Sequence, residues 1–369
     1  MTAILTLTSD HIAVAGAGLL GRLVAWQLLR DGYAVTLYDA GDLDTPPGAA
    51  WTAAGMVAPL CETAISERCV YDMGRFALAQ WPHWLEALDA ASLWQQTGSL
   101  MVAHPQDLGE LTQFRRDLDH ALGGTSPCQT LDDREVQRLE PDLAPGFRQG
   151  LYLPDEAHLD NRALLTRLLD EIRALGGECH AHCPVDTFPG EVVTAEGRRR
   201  FNLVIDCRGT GARQRHPSLR GVRGETLHVQ TDEIRLSRPV RLMHPRYQLY
   251  VVPKPAHRFV IGATQIESED RSPMSLQSSL ELGSALYTLS PAFAEARILE
   301  QGVNLRPAFL DNLPHVTQRE GLITANGLFR HGYLLAPAVV CHLLAVVRDH
   351  GDRPFADTLA ARPPQENVA

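Results

Sequence analysis

One segment, IAVAGAGLLGR from Ile12 to Arg22, limits what this chain can fold into more than any other. An apolar run, a G-x-G-x-x-G turn and a helically periodic stretch follow one another without a gap. Gly16 permits the tight turn, Gly18 lets a pyrophosphate approach the backbone, and Gly21 lets helix and strand pack closely. The helix body, LLGRLVAWQLLRDG, repeats Leu20, Leu23, Val24 and Leu28 at helical spacing and stops at Gly32. The next strand, AVTLYDA, closes a right-handed crossover. It ends at Asp39, eighteen positions after Gly21. A carboxylate there accepts hydrogen bonds from ribose hydroxyls and repels a 2′-phosphate. With Leu19, Leu20 and Ala40 beside them, these residues predict a dinucleotide at a helix N-terminus, whose dipole favours phosphate. The motif alone does not separate NAD from FAD.

The other constraints are broader. With 369 residues, 44% of them hydrophobic and 21% charged, the chain can build one or two globular domains by packing alone. A formal net charge of −10 argues against a polyanion such as nucleic acid as the main partner. The arginine run Arg198 to Arg200 follows Glu196 and Gly197 and reads as a solvated hairpin edge. No basic and then apolar leader precedes Ile12. The longest apolar stretch, Tyr333 to Val347, contains Pro337 and His342 and falls short of the roughly 20 residues that cross a bilayer. Seven scattered cysteines fit a reducing compartment, so a cytoplasmic protein without a membrane partner is expected. The cluster CHAHC, Cys179 to Cys183, invites a metal reading. Read as part of a strand, ECHAHCPVDTF, it sends Cys179, Ala181 and Cys183 to one face and His180 and His182 to the other, and no metal site is expected.

Along the chain, about Ser66 to Ala90 reads as helical and Pro105 to Leu139 as mostly helical, and TGSLMVAH and GLYLPDEAHLD read as strands. Asp160 is the expected N-cap of NRALLTRLLDEIRAL, and Gly176-Gly177 its stop. EVVTAEG and FNLVIDCRG are strands. From Val222 to Ala308 short strands and turns dominate, interrupted by one helix at Leu276 to Leu289. This predicts an antiparallel sheet grafted between dinucleotide-type pieces. The chain then returns through a strand, a glycine loop and a helix with Pro337 near its start, and the polar tail after Pro363 is expected to fray.

Six segments, GAGLLGR…YDA, AAGMVAP, LRGVRGETL, YVVPKPAHRFVIGAT, NLRPAFLDNLPHV and GLFRHGYLLAP, are spread from end to end in this order. Through them the chain resembles the D-amino-acid oxidase family of flavoproteins, and within it the glycine oxidases of the thiazole branch of thiamine synthesis. The resemblance implies an α/β fold: a discontinuous Rossmann-type FAD-binding domain (1–92, 152–219 and 304–369) with a second, α+β substrate domain (93–151 and 220–303) whose antiparallel sheet roofs the flavin. It implies that Trp51, Thr52, Ala53, Ala54, Gly55 and Met56 run along the isoalloxazine. It sets Cys183 to Val185 on the adenine side and Cys207, Arg208 and Gly209 on the cofactor. The loop Gly327 to Leu335, with Arg330, His331, Gly332, Tyr333, Leu334 and Leu335, would wrap the pyrimidine end. A helix starting near Pro337 points its positive end at that loop, which favours the negative charge of reduced flavin; an ordinary glycine-rich connection is the alternative. Asn304 to Val340 holds no cysteine, and His315 and His331 do not match the family's attachment positions, so FAD is expected to be non-covalent.

Pro307 keeps Arg306 extended. In the family the matching arginine clamps the substrate carboxylate, which suits a planar guanidinium fork; a structural salt bridge is the alternative. Strand alternation puts Gln248, Tyr250 and Val252 on one face, and the matching tyrosine donates its hydroxyl to the same carboxylate; a core tyrosine is the alternative. Arg330 matches a further arginine near the substrate, or it serves the flavin. Gln265, Gln248, Leu328, His331 and Arg208 stand where relatives carry methionine, histidine, histidine, asparagine and a small residue, which bears on the substrate more than on the reaction class. The resemblance implies oxidative deamination of glycine or another small amino acid. The neutral amine drives a hydride from the α-carbon to flavin N5, the protein supplies orientation, the imine hydrolyses to an oxo acid and ammonia, and dioxygen leaves as hydrogen peroxide. Two alternatives stay open: a flavin oxidoreductase acting on an amine carried by a macromolecule, such as a modified tRNA base or a partner protein, and a flavoprotein that assists another protein's maturation. A homo-oligomer is compatible with all three.

Overall fold

The strand His11–Ala15 has parallel neighbours on both sides, which explains its unbroken apolar run. The structure, a computed structural model, describes residues 10–245 and 247–360; the side chain of Gln248 and the tail beyond Pro363 lie outside the described residues. The first sheet runs in the order His315–Arg319, Leu322–Asn326, Leu203–Asp206, His11–Ala15, Ala34–Tyr38, Glu178–His180. All its pairs are parallel except the first, an antiparallel edge hairpin. Helix Leu19–Arg30 crosses from the fourth strand to the fifth and is buried from Leu19 through Leu28. It is enclosed by helices Asn161–Ala174 and Gly332–Val347. Asp160 caps the first of these, accepting from the Ala163 N–H at 3.1 Å. The second is apolar all round because it lies inside the core. No helix among the described residues is long and apolar enough to cross a membrane.

The second sheet has eight strands, in the order Arg297–Ala308, Arg220–Gln230, Arg258–Gly262, Tyr247–Lys254, Val240–His244, Ser99–Ala103, Gln149–Leu153, Gln129–Asp132. It is mixed rather than purely antiparallel: Val240–His244 and Ser99–Ala103, brought together from distant parts of the chain, run parallel. Helix Leu276–Leu289 has the expected bounds and packs on the apolar face of this sheet. Strand Arg297–Ala308 pairs along Arg220–Gln230 and runs unbroken through residue 304, so sheet and dinucleotide unit are joined there by continuous backbone.

One local expectation is refined and two need correction. The stretch Pro105 to Leu139 is two helices, Leu108–Leu122 and Asp133–Leu139, with a strand between them. Gly123, at φ 70°, closes the first, and Asp132 opens the second through a reciprocal capping box with Glu135. ECHAHCPVDTF is not one strand: His182, at φ 51°, breaks it, and Glu178–His180 and Asp186–Phe188 belong to different sheets. His180 stacks on Tyr38 and pairs with Glu178, while His182 turns toward Asp42. The last helix begins at Gly332, five residues before Pro337. Proline cannot donate to the Tyr333 carbonyl. The indole N–H of Trp81 does so instead, at 2.8 Å, so the helix passes through Pro337 with that acceptor satisfied.

Candidate active site

The carboxyl ends of the central parallel strands open on a cavity of about 1240 Å³. This is where open α/β sheets bind ligands. The volume exceeds the 300–1,000 Å³ usual for one drug-sized ligand, leaving room for a dinucleotide and a small second molecule. Gly16 turns at φ 95°, and a side chain there would strike the Cys207 carbonyl at 2.6 Å. At Gly21 a side chain would strike the Gly16 carbonyl at 1.8 Å. At Gly18 it would meet nothing within 4 Å, so the turn shows bare backbone to the cavity. Gly18 caps the helix without a side-chain hydrogen bond, which leaves first-turn N–H groups for an anion. Asp39 accepts from the Ala17 N–H at 2.6 Å and the Gly41 N–H at 2.8 Å. An uncapped helix start, a bare glycine turn and a carboxylate at the end of the second strand fit the phosphates and ribose of FAD.

Leu19, Leu20, Asp39, Ala40, Cys207, Arg208 and Gly209 line this end; Gly21 lies behind the turn. Arg208 is turned onto its own chain, bonding Asp206 at 2.7 Å and the Val185 carbonyl. Burial opposes ionisation of Asp206, but Arg208 outweighs it and holds the carboxyl below its usual range. Val185 sits in a small apolar cluster with Tyr38 and Phe201, away from the cavity lining. In the middle, Thr52, Ala53, Ala54, Gly55 and Met56 face the cavity, whereas Trp51 stacks under Arg162, 5.0 Å from the guanidinium carbon. Lys254 ties this segment down by donating to the Ala54 and Leu159 carbonyls at 2.7 and 2.6 Å.

At the far end the cavity collects Arg306, Tyr250, Gln265, Arg330 and His331. The Arg306 guanidinium lies flat over Gly224, where an added Cβ would fall 2.3 Å from its central carbon. It donates to the Arg223 and Thr264 carbonyls at 3.2 and 3.0 Å. Burial raises the Tyr250 phenol, keeping it a hydrogen-bond donor. Gly332, Tyr333 and Leu334 begin a second helix without a side-chain cap, and Leu335 is buried behind them.

Two residues here escaped the sequence reading. Glu62 accepts from Arg330 at 2.6 Å and from Arg241 at 2.9 Å. Burial opposes its ionisation, but the two arginines outweigh it and hold the carboxyl well below the usual range. Burial, with the arginines adding to it, lowers the adjacent His331 to about 4, so this imidazole is neutral near pH 7. One available signal was an arginine inside an apolar strand, Val240-Arg241-Leu242-Met243. Taken together, this end offers a net positive lining and a phenol donor to an anion held beside the dinucleotide crevice.

The pattern of the DAO family, FAD dependent oxidoreductase, matches residues 11–345. A Rhizobium etli protein that bears the name of a thiamine biosynthesis oxidoreductase, ThiO, is 44% identical over 336 residues, which is 89% of this chain and 94% of that protein. A glycine oxidase of Bacillus licheniformis is 25% identical over 341 residues, 88% of this chain and 89% of its own. Among solved structures, glycine oxidase from Geobacillus kaustophilus matches with a TM-score of 0.82 at 22% identity, covering 96% of this chain and 100% of that one. Iminodiacetate oxidase from Chelativorans sp. BNC1 matches with a TM-score of 0.80 at 22% identity, covering 95% and 98%.

Proposed function

The chain belongs to the DAO family of FAD dependent oxidoreductases, and from that premise we propose that it oxidises glycine or another small amino acid at the carbon bearing the amine. One observation carries the reading. Arg306 faces the cavity with its two terminal nitrogens bonded to backbone carbonyls and, among the described residues, to no carboxylate, so its charge is available to a substrate acid. Tyr250 opens on the same cavity, and its hydroxyl suits the same carboxylate. Arg330 is different, because Glu62 neutralises much of its charge. It shapes the wall with Gln265, whose amide oxygen lies 3.4 Å away. The names of the Rhizobium etli and Bacillus licheniformis relatives support the same class of substrate and a place in thiamine biosynthesis.

When bound, FAD would supply a two-electron acceptor for the α-hydrogen as hydride, with dioxygen as the final oxidant and hydrogen peroxide as its product. The chain's own share is binding and orientation. Arg306 and Tyr250 fix the carboxylate end, which directs the α-carbon into the cavity, and the glycine turn and the start of helix Gly332–Val347 fix the acceptor. No side chain need remove a proton from carbon, since the neutral amine drives the transfer. Product imine then meets water and becomes an oxo acid and ammonia.

The test is anaerobic mixing of the yellow holoenzyme with glycine, sarcosine and small D-amino acids. At least one should bleach the flavin band; failure of all would sink the proposal. With the best of them, Arg306→Ala should lower kcat/KM by about 100-fold or more, the usual scale for losing a charge-assisted carboxylate contact in a desolvated site.

A further inference from the structure

Arg22 occupies a place where the fold alone gives a cation little reason to be. It lies in the first turns of helix Leu19–Arg30, its own N–H bonded to the Gly18 carbonyl at 3.0 Å. At that end the helix dipole opposes positive charge. The side chain is fully buried. Nε donates to the Ala17 carbonyl at 2.7 Å, one terminal nitrogen to Leu165 at 2.6 Å, and the other to Leu43. Among the described residues all three acceptors are neutral backbone, and no carboxylate contacts the guanidinium. Asp39 and Asp44 act on the guanidinium only through space. Asp39 already serves the N–H groups of Ala17 and Gly41, and Asp44 pairs with Arg173. Burial pulls Arg22 below the ordinary arginine value, yet a guanidinium does not deprotonate in a protein. A buried cation without a contacting anion is costly, and the neighbouring positions Leu20, Leu23 and Val24 show that this helix accepts apolar side chains.

We propose that Arg22 is the buried countercharge of the dinucleotide's pyrophosphate and the positioning residue of the glycine turn. Ala17, at the centre of that turn, is held from both sides: Asp39 takes its N–H and Arg22 its carbonyl. With its carbonyl drawn inward, the turn presents N–H groups and bare glycine to the cavity instead of oxygen atoms that would repel phosphate. The same guanidinium anchors the turn to the loop at Leu43 and the helix at Leu165, so charge and shape are delivered by one side chain. This role concerns the cofactor and stands whichever amine is oxidised.

The experiment compares Arg22→Gln and Arg22→Lys with the parent full-length holoenzyme. FAD affinity is read from the rise in flavin fluorescence on dilution, and the thermal midpoint of the flavin-free protein is read separately. The lysine variant keeps the charge and loses the three-pronged fork; the glutamine variant loses the charge. Arg22→Gln should weaken FAD by about tenfold or more, the scale of a helix-terminus charge effect in a partly buried site. Arg22→Lys should stay within about threefold of the parent while its flavin-free form melts lower. A glutamine variant that binds FAD within about twofold of the parent, however much its flavin-free form is destabilised, would make Arg22 a structural strut and overturn the proposal. Should Arg22→Gln fold too poorly to titrate, Arg22→Met, which also removes the charge, takes its place: a tenfold loss of FAD affinity supports the proposal, and affinity within about twofold of the parent overturns it.

Discussion

Gly224 controls where the Arg306 charge sits. The guanidinium rests on the Gly224 backbone, and a methyl group there would fall well inside contact distance of its carbon and nitrogens. The obstructed atoms are the free end of a flexible side chain, so Gly224→Ala has an easy escape: the protein folds and the guanidinium lifts into the cavity. Thermal stability should change little, while kcat/KM for the amino acid falls about 10- to 100-fold, mostly through KM, as expected when a binding group shifts by about 1 Å. An unchanged KM would mean that the guanidinium does not rest on Gly224 in the working enzyme. At this scale the sequence was informative where a side chain acts alone. The positions of Arg306, Tyr250 and Arg330 were named through the family resemblance, with local support only from the proline after Arg306 and the strand alternation at Tyr250, and all three line one cavity. Glu62 and Arg241 could not, because they matter only as partners. They stand 179 residues apart, and nothing in the spacing of either announces the other.

Among elements, the segment from Ala49–Thr52 through Met56–Val57 depends on its neighbours for its shape. Four residues of helix and two of strand cannot hold themselves. Lys254 supplies the anchor, bridging the Ala54 and Leu159 carbonyls from the end of strand Tyr247–Lys254. Lys254→Met keeps much of the stem's volume and leaves both carbonyls without this donor. Each loss costs roughly 1–3 kcal/mol if water does not replace it. The chemical midpoint in urea should therefore fall by an amount corresponding to about 2–6 kcal/mol. Near-ultraviolet and visible circular dichroism of the bound flavin should change as well, because the loosened segment faces the cavity. An unaltered flavin signal with a lowered midpoint would confine Lys254 to stability. The start of the last helix shows why element boundaries were harder to read than element types. Pro337 signals a helix start by sequence rules. The helix nevertheless begins five residues earlier, since Trp81, more than 250 positions away, takes up the carbonyl that proline leaves unbonded.

For the whole molecule, the parallel sheet and its crevice were legible because strand, glycine turn, helix and strand are contiguous. The antiparallel pairing of the strands between Arg220 and Ala308 was legible as well, but not the sheet's extension through a parallel pair, which joins Ser99–Ala103 to Val240–His244 across more than a hundred residues. That packing has a consequence for acid stability which no local motif displays. Burial lowers His158 to about 3 and His228 and His331 to about 4, against roughly 6.5 in an unfolded chain. His11, His104, His216 and His342 are lowered by burial in the same direction. In the window from about pH 4 to 6.5 the unfolded chain therefore binds more protons than the folded one, and stability rises with pH. Lys254, lowered by burial to about 7, extends the same sign above neutrality, toward its unfolded value near 10.4. The buried carboxyls of Glu140 and Glu156, pushed up by burial, act in the opposite sense at the acid end, but they are two against seven histidines. Each fully coupled histidine contributes at most about 1.4 kcal/mol per pH unit. Acidification from pH 7 to 5 should then remove roughly 3–6 kcal/mol and lower the melting temperature by on the order of 5–10 °C, well before ordinary carboxylates titrate. The cleanest control is His158→Phe. His158 is buried with an unbonded ring nitrogen, so phenylalanine removes a group that resists protonation without breaking a hydrogen bond of that nitrogen. The variant should show a smaller pH slope than the parent, while a melting temperature flat from pH 7 to 5 would mean that these histidines reach solvent and titrate normally.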